Sequence, residues 1–241
     1  MTQSHEHGIT NRMLRSLPHA TLERILPALE PLNTVRQQVL NHTGRPIEHL
    51  YFVNRGLISL VKTMQDGRTA EIGTVGIEGV THPNAFLTGM GKAITDTVVQ
   101  IPGTAFRIRS DILRHEMAKD DALREAMLMC ARFAISQLAH NAACNRLHSI
   151  KERCCRWLLM AHDSALSETF PLTHEFLAMM LGVQRAGVSI AVGCLQKAGL
   201  IRYTRGRVTI TNRSELEDRA CECYSATRAD VENRPGTPQR G

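Results

Sequence analysis

Hydrophobic residues follow three different patterns along the chain, and the changes of pattern divide it into three parts. In the first part, from about residue 12 to residue 109, the apolar runs are short and are separated by turn-forming residues. Runs of this kind are typical of the strands of an antiparallel sandwich or roll. The helical spacing of "MLRSLPHATLERILPAL" predicts a helix that caps one end of this part. The turns predicted between strands lie at Asn54-Arg55-Gly56, Asp66-Gly67 and Pro102-Gly103.

The second part, residues 121–144, has the pattern of one long helix. It contains no Gly or Pro, and its apolar residues form nearly two stripes, whereas a surface helix needs only one. One stripe can pack against the strand domain, and the other then favours a parallel pair with the same helix of a second copy. The alternative is a central helix buried within one monomer. We assign to the dimer contact the residues Met127, Cys130, Ala134, Gln137 and Asn141.

The third part begins at about residue 145 and contains a helix-forming stretch that a glycine interrupts. In "EFLAMMLGVQRAGVSIAVGCLQKAGL" the break at Gly182 predicts two short helices joined by a sharp turn, because glycine adopts a left-handed backbone without strain. Thr173 fits the cap of the first helix, and Ala178 is small enough for the two helices to approach closely. Val188 lies where the second helix needs an apolar contact with the first. The pattern indicates a helix-turn-helix.

Two further elements and a polar tail follow the helix pair. Arg205-Gly206 predicts the turn of a small hairpin, or wing. The stretch "SELEDRACECYSATRADV" predicts a final helix capped by Ser214, with Glu217 at the capping-box position. The tail "ENRPGTPQRG" is expected to be disordered.

Positive charge is concentrated on the second helix and the wing. From Val183 to Arg213 the chain has six basic residues and no Asp or Glu, whereas a solvated face normally mixes both signs. A segment of one sign is the footprint expected for contact with the phosphates of a duplex. The residues expected to contact phosphates are Thr173, Lys197, Arg202, Arg205 and Arg207. The second helix would enter the major groove, where the side chains expected to read bases are Gln184, Arg185 and Ser189.

Composition and motifs argue against several classes of protein. The 241 residues carry a net charge of +6, and 43% of them are hydrophobic, as in globular proteins. Because there is no run of about 18 apolar residues and no apolar signal core in "MTQSHEHGITNR", we expect a cytoplasmic protein without a membrane span. We expect no enzyme, since no Ser/His/Asp arrangement or phosphate-binding loop is visible. The seven cysteines include no CxxC pair, so we expect reduced thiols and no metal site.

In this order the parts resemble the Crp/Fnr family of bacterial transcription regulators. The segments that carry the resemblance are the long helix and "LYFVNRGLISLV", "DGRTAEIGTVGIEGV", "LAMMLGVQRAGVS" and "LQKAGLIRYTRGRVTI". The resemblance implies an α+β fold, with a jelly-roll-like, cyclic-nucleotide-binding-like β-roll at residues 12–120 and a dimerisation helix at 121–144. It further implies a Crp-type winged helix-turn-helix at 145–216, followed by the C-terminal helix and disordered tail at 217–241.

The loop that binds cyclic nucleotides in this family departs here from the family pattern. That pattern has a Gly-Glu pair for the ribose and an Arg-Ser pair for the phosphate, but here His82-Pro83 and Lys92-Ala93 lie near these places. A phosphate without its bidentate arginine loses a strong contact, so we expect no cyclic nucleotide. The first cysteine is Cys130, which argues against the family's N-terminal iron–sulfur cluster, and a lone histidine does not establish haem. The effector pocket stays unassigned, and its candidate residues are Glu78, His82 and Lys92.

The function that these features favour is sequence-specific DNA binding by a homodimeric regulator of an inverted-repeat operator. Ala186 and Ile190 stand where well-known family members have Glu and a second Arg, so the resemblance does not imply the operator sequence. RNA polymerase and a small-molecule effector are further candidate partners. Two alternatives stay open. One is a ligand- or redox-sensing module that acts through protein contacts, with a vestigial DNA-binding domain; the other is an enzyme that uses Cys and His residues.

Overall fold

The computed structural model describes residues 8–88 and 91–232, which form an N-terminal roll and a C-terminal helical part joined by a long helix. The tail expected to be disordered lies outside the described residues from residue 233 onward. Each of the two parts has its own buried apolar core. The C-terminal core also includes Leu57 and Ile101 of the roll, so the two parts are packed against each other.

The roll is a five-stranded antiparallel sheet with helices at its ends, which confirms the predicted fold class. Its elements are α1 (Arg12–Ser16), α2 (His19–Ile25), β1 (Glu30–Asn33), β2 (Val39–Asn41), β3 (His49–Thr63), β4 (Thr69–Val75), β5 (Asp96–Arg109) and α3 (Ser110–Lys119). The strand order is β1-β5-β3-β4, and β2 also pairs with β5. The hairpin predicted at Asp66-Gly67 joins β3 to β4. Short 3₁₀ turns lie at Leu26–Ala28 and Pro83–Thr88.

Two other predicted turns are wrong, because the chain continues through them as strand. β3 is unbroken across residues 54–56, and β5 is unbroken across residues 102–103. These two strands pair with each other, and their register shifts between Val53 and Leu57. At this bulge a side chain on Gly56 would collide with the carbonyl of Ile101, and one on Gly103 with the carbonyl of Arg55. Both glycines therefore allow two backbones to approach closely, and neither forms a hairpin.

The long helix α4 (Asp121–Leu147) is unbroken and ends three residues beyond the predicted Cys144. The side chain of Asp120 caps its start by accepting a hydrogen bond from the N–H of Leu123. One stripe of α4 packs into the core of the roll. The other is exposed, and its large apolar members Leu128, Ile135 and Leu138 are 44%, 57% and 36% exposed. The helix therefore has the two apolar stripes that the sequence indicates.

The residues assigned to the dimer contact need correction, because most of them face their own roll. Met127 and Cys130 are buried in its core. The side-chain oxygen of Gln137 accepts a hydrogen bond from the N–H of Thr74 at 2.9 Å. Asn141 donates to the carbonyl of Ile72 at 2.8 Å, and Ala134 is half-buried. The stripe left open for a second copy is the one that contains Leu128, Ile135 and Leu138.

The C-terminal part combines helices with a small sheet of order β6-β8-β7. Its elements are α5 (Ile150–Ala165), β6 (Thr169–Pro171), α6 (His174–Leu181), α7 (Arg185–Lys197), β7 (Ile201–Thr204), β8 (Arg207–Ile210), α8 (Arg213–Asp218) and α9 (Cys223–Glu232). The single final helix predicted from the sequence is wrong. This stretch forms two helices, α8 and α9, and the residue that caps α8 is Asn212 instead of Ser214.

No single helix of the described segments is long and apolar enough to cross a bilayer. α6 and α7 pass that composition criterion only when they are taken together, and the chain bends by 110° between them.

Candidate nucleic-acid interface

The turn between α6 and α7 depends on the backbone of Gly182. This residue is left-handed, with φ of 61°, and the N–H of Val183 donates to the carbonyl of Ala178 at 3.0 Å. Together these features close the C-terminus of α6 as a Schellman motif. Thr173 caps the other end of α6, where its hydroxyl accepts from the N–H of Phe176 at 3.2 Å. The two helices cross at 110°, which is the helix-turn-helix that the sequence predicts.

The second helix, α7, has a buried face and an open face. On the open face Gln184 and Arg185 are exposed, and the side chain of Gln184 makes no capping bond to the helix. Ile190 is 66% exposed on the same helix. The open face thus presents an amide, a guanidinium and an apolar side chain to a partner. The buried residues are Val188, Ala191, Val192 and Leu195.

Ser189, the third predicted base reader, is half-buried and bonded within the protein. Its hydroxyl lies 3.0 Å from Nδ1 of His174 on α6. Burial and the charge of Arg185 lower the pKa of His174, so its imidazole is neutral at neutral pH. The same ring packs against that of Tyr203 on the wing, with 4.5 Å between the ring centres. Ser189 therefore joins α7 to α6, and its hydroxyl is less available to a ligand than the side chains of Gln184 and Arg185.

The two glycines inside α7 have different surroundings. A β-carbon on Gly187 would lie 3.1 Å from the Cδ1 of Ile150, at the start of α5. Gly187 therefore allows α7 to pack closely against α5. A β-carbon on Gly193 would meet no atom within 4 Å, so packing gives no reason for glycine at that position.

The wing is formed by β7 and β8, as predicted. Its turn has φ of 49° at Arg205 and 73° at Gly206, and positive φ at both central residues is the geometry of a type I′ hairpin. The hydroxyl of Tyr203 donates to the carbonyl of Leu172 at 3.1 Å, which attaches the wing to the segment before α6. The wing is thus held in a defined position beside the helix pair.

The basic residues of this region fall into two groups. Lys197, Arg202, Arg205 and Arg207 are exposed, and none of them forms an ion pair within the described ranges. Arg213 is different, since it pairs with Asp163 and Glu217, both at 2.8 Å. Arg213 therefore stabilises the C-terminal part, and it does not belong to the exposed cationic surface, although it is one of the six basic residues of the acid-free segment.

A buried polar contact anchors the helix pair on the roll. Glu71 of β4 accepts a hydrogen bond from Nε1 of Trp157 at 3.1 Å and a second from the hydroxyl of Ser59. The Ser59 hydroxyl also lies 3.6 Å from the sulfur of Met180 in α6. Burial raises the pKa of Glu71 to about 7, although the two hydrogen bonds and the charge of Arg156 act in the opposite direction. Strands β3 and β4 therefore position α5 and α6.

Two cavities lie where β4 and the turn after it approach α4. The larger has about 650 Å³ of empty space and opens to solvent, and the smaller has about 380 Å³. Thr74, Glu78, Phe133 and Gln137 line both. The hydroxyl of Thr74 and the side-chain nitrogen of Gln137 are buried and have no hydrogen-bond partner among the described residues. Because a buried polar atom without a partner costs about 1–3 kcal/mol, both atoms favour a polar ligand at this place.

The three candidate effector residues do not line one common cavity in the described segments. Glu78 lines both cavities, and its carboxylate accepts from the N–H of Gly76 at 2.8 Å. His82 is buried, and burial lowers its pKa to about 4, so its imidazole is neutral. Lys92 is exposed. Thr74 is an ordinary strand residue in the sequence pattern, so no sequence signal marks it as a cavity residue. Gln137 lies on the long helix and was predicted to belong to the dimer contact.

Two domain families match the chain in tandem. The family described as cyclic nucleotide-binding domain matches residues 33–120. The family described as Crp-like helix-turn-helix domain matches residues 152–219. The two matches fall on the roll and on the part that contains the helix pair and wing.

Proteins similar along most of the chain include regulators from several bacteria. The "Global nitrogen regulator" of Synechococcus elongatus is 22% identical over 189 residues, which are 73% of this chain and 83% of that protein. The structure of FixK2 from Bradyrhizobium japonicum has a TM-score of 0.67 and 15% identity, covering 80% of this chain and 98% of that chain. The c-di-GMP responsive global regulator CLP of Xanthomonas campestris has a TM-score of 0.63 and 15% identity, covering 80% and 99%.

The solved structures share the fold of this chain, and the tandem domain matches share its order of parts. The proteins found by both comparisons are regulators of transcription and not enzymes. With its roll, long helix and winged helix-turn-helix, the chain joins a cyclic nucleotide-binding domain to a Crp-like helix-turn-helix domain, which is the architecture of a Crp/Fnr-type transcription regulator.

Proposed function

We propose that the chain acts as a homodimer that binds an inverted repeat in double-stranded DNA and regulates transcription there. The observation that carries this proposal is the acid-free segment from Val183 to Arg213, because it covers the second helix and the wing of a well-formed helix-turn-helix. A DNA phosphate near this segment meets exposed cations and no carboxylate of the segment itself. The place of action is the cytoplasm, and RNA polymerase is a further candidate partner.

In this proposal α7 enters the major groove by its N-terminal turn. Arg185 pairs with O6 and N7 of guanine and Gln184 with N6 and N7 of adenine, and each bidentate pair contributes about 1–3 kcal/mol of discrimination. Ser189 contributes less, because His174 shares its hydroxyl. Ile190 is placed to contact a thymine methyl group, since it is 66% exposed.

The proposed phosphate contacts come from the edges of the helix pair and from the wing. They carry no sequence information, and they make binding depend on salt, because each neutralised phosphate releases counterions. With roughly six to ten such contacts per dimer, affinity is expected to fall by about 10³–10⁵ between about 50 and 200 mM salt. The residues in this role are Thr173, Lys197, Arg202, Arg205 and Arg207.

The dimer is proposed to form along the exposed stripe of α4. Leu128 and Ile135 are separated by one heptad and Leu138 follows three residues later, which is the spacing of the seam of a parallel coiled coil. A parallel pair related by a two-fold axis presents two copies of α7 to two half-sites about 34–36 Å apart. That geometry predicts an operator with two inverted half-sites.

An effector is proposed to bind in the cavities beside Thr74 and Gln137. It should carry polar groups for the buried hydroxyl and amide that have no partner in the described part of the chain. There is no arginine between Arg68 and Arg107, so the loop that holds the cyclic phosphate in this family offers no bidentate partner here. The arginines that line the larger cavity, Arg12, Arg213 and Arg228, come from other parts of the chain. We therefore propose an effector other than a cyclic nucleotide, and a regulator that works without haem or an iron–sulfur cluster.

Selection from a random duplex library with the purified full-length protein tests the proposal. It is run with and without a small-molecule extract of cells, because one experiment then reports both operator symmetry and effector dependence. The expected result is an inverted repeat with half-sites one helical turn apart. Flat affinity across all sequences under both conditions would overturn sequence-specific binding and would favour the alternative of a sensing module that acts through protein contacts.

Three variants separate base reading from phosphate binding. Arg185→Ala is expected to relax the selected sequence at one position of each half-site, with a loss of about 1–3 kcal/mol for the best site. Arg205→Asn removes the wing charge but keeps a residue that tolerates positive φ, so it should weaken all sequences alike and reduce the salt slope. Arg36→Gln removes an exposed charge on the roll and serves as the matched control, which should change neither property. An unchanged selection with Arg185→Ala would refute the base-reading assignment.

A further inference from the structure

Four side chains from two distant segments meet at the junction between α4 and α9. They are Cys144, His148, Cys221 and Cys223, and one sulfur or nitrogen atom from each lies within 4.8 Å of all the others. The three cysteines are 0%, 4% and 5% exposed and form a small cluster of their own. Cys144 and Cys221 are 77 residues apart in the sequence, so no local sequence pattern reveals the cluster.

Local structure explains why the four groups point to one place. Cys144 and His148 are four residues apart at the C-terminal end of α4, so their side chains lie on one face. Cys221 precedes α9, and Cys223 is its first residue. The N–H of Tyr224 donates to the carbonyl of Cys221 at 3.0 Å, which folds the Cys-x-Cys segment back on itself.

The distances match the edges of a tetrahedral zinc site. Zinc–sulfur bonds of about 2.3 Å place two thiolates about 3.8 Å apart, and a zinc–nitrogen bond of about 2.0–2.1 Å places nitrogen and sulfur about 3.6 Å apart. The sulfur atoms of Cys144 and Cys221 are 3.5 Å apart. The sulfur of Cys223 lies 3.7 Å from Nδ1 of His148. The other distances between the four ligand atoms are at most 4.8 Å, and they would shorten when a zinc ion draws the four atoms into a tetrahedron.

The residues around the cluster also suit a metal. Nε2 of His148 lies 3.0 Å from the carboxylate of Glu222, so Nδ1 is the nitrogen left for the cluster. A carboxylate on the second nitrogen is the usual partner of a metal-binding histidine. Three thiolates and one divalent ion carry a net charge of −1. The guanidinium groups of Arg153 and Arg156, 7% and 8% exposed, interact electrostatically with these cysteines, so positive charge is present beside the site to offset its negative charge.

We propose that Cys144, His148, Cys221 and Cys223 bind one Zn²⁺ ion as a closed, structural Cys₃His site. This ligand set and geometry select zinc, because soft thiolates with one imidazole in a tetrahedron are its common structural environment. Binding releases the protons of the three thiols, and no oxidant or reductant is needed. The proposal does not depend on DNA binding. It replaces the expectation that the protein has no metal site, which was based only on the absence of closely spaced cysteine pairs in the sequence.

The position of the site gives it a structural role. His148 is the C-cap residue that follows the last residue of α4, and Ser149 caps the start of α5. A metal held by Cys144 and His148 at the end of α4 and by Cys221 and Cys223 at the start of α9 would connect these two helices. The zinc ion would therefore keep the long helix and the DNA-binding part in one relative position.

The site is tested by metal titration of the full-length protein, purified under reducing conditions and stripped with a chelator. Wild-type protein is expected to bind about one Zn²⁺ per chain, with a rise in Tm, because the ion binds the folded state. Co²⁺ should give the visible bands of a tetrahedral ion and a thiolate-to-metal charge-transfer band in the near ultraviolet. No uptake, a Co²⁺ spectrum without the thiolate band, or a Cys144–Cys221 disulfide that persists in reductant would overturn the proposal.

Variants identify the ligands. Cys223→Ser should lose the charge-transfer intensity of one thiolate and most of the zinc affinity, with far-ultraviolet circular dichroism as the check of folding. Glu222→Gln changes an exposed residue beside the site, and it should lower zinc affinity about 10–100-fold without loss of the fold. Cys194→Ser, a cysteine of α7 outside the cluster, should leave uptake and spectrum unchanged. Equal zinc binding by Glu222→Gln and wild type, or an equal loss in Cys194→Ser, would contradict the assignment.

Discussion

Glu71 connects the stability of the domain interface to pH in a way that can be measured. Its pKa is raised from 4.5 to about 7, chiefly because the carboxyl is buried between the roll and α5. The folded protein therefore binds this proton more tightly than the unfolded chain does. The free energy of unfolding contributed by this group is highest below about pH 4.5 and falls as pH rises towards about 7, and it stays low above that pH.

The size of the effect follows from the two pKa values. The difference between 4.5 and about 7, at about 1.4 kcal/mol per pH unit, is on the order of 3 kcal/mol. The substitution Glu71→Gln removes the charge and keeps an oxygen that can accept from Trp157 Nε1. We expect Glu71→Gln to be more stable than wild type by about 2–3 kcal/mol at pH 8 and to differ little from it at pH 4.5.

Urea denaturation of both proteins at pH 4.5, 6 and 8 measures the difference, and the other titrating groups cancel in the comparison. Glu48→Gln, which removes an exposed carboxylate of the roll, is the control and should show no such trend. The reasoning is refuted if Glu71→Gln is less stable than wild type at pH 8, or if its advantage is the same at every pH.

Four further substitutions test the helix pair and the dimer. Gly193→Ala should raise the free energy of unfolding by up to about 1 kcal/mol, because the added carbon meets no atom within 4 Å. Gly187→Ala should raise it less, because its added carbon would lie 3.1 Å from a side chain of α5. Thermal melts compare the two variants with wild type. Gly182→Ala should cost about 1–2 kcal/mol, because φ there is 61°; an unchanged Tm would contradict the turn geometry. Ile135→Glu should produce monomers in sedimentation velocity, whereas the exposed control Ala143→Glu should stay dimeric.

Local signals made the helix-turn-helix and wing predictable from sequence. Gly182 and the Arg205-Gly206 turn act within a few residues of themselves, so their effect on the backbone can be deduced without knowing the rest of the fold. The apolar spacing of α7 likewise identifies its buried face.

Long-range contacts account for the features that the sequence pattern did not give. Gly56 and Gly103 look like turn residues until β3 and β5 are seen to cross closely at that point. The two apolar stripes of α4 were recognisable, but which of them packs on the roll depends on where the roll lies. The polar residue Gln137 contacts Thr74 across 63 positions, and no periodicity encodes such a pairing.

The length of α4 has a mechanical consequence for the proposed dimer. Its 27 residues form a rod about 40 Å long, with the roll along it and the winged part at its far end. A tilt of about 5° between two such rods moves their tips by about 3.5 Å, which is close to the rise of one base pair, about 3.4 Å. A change at the cavity that tilts the two rods by this amount would therefore shift the two recognition helices by about one base pair along the duplex. The fold of neither part would need to change.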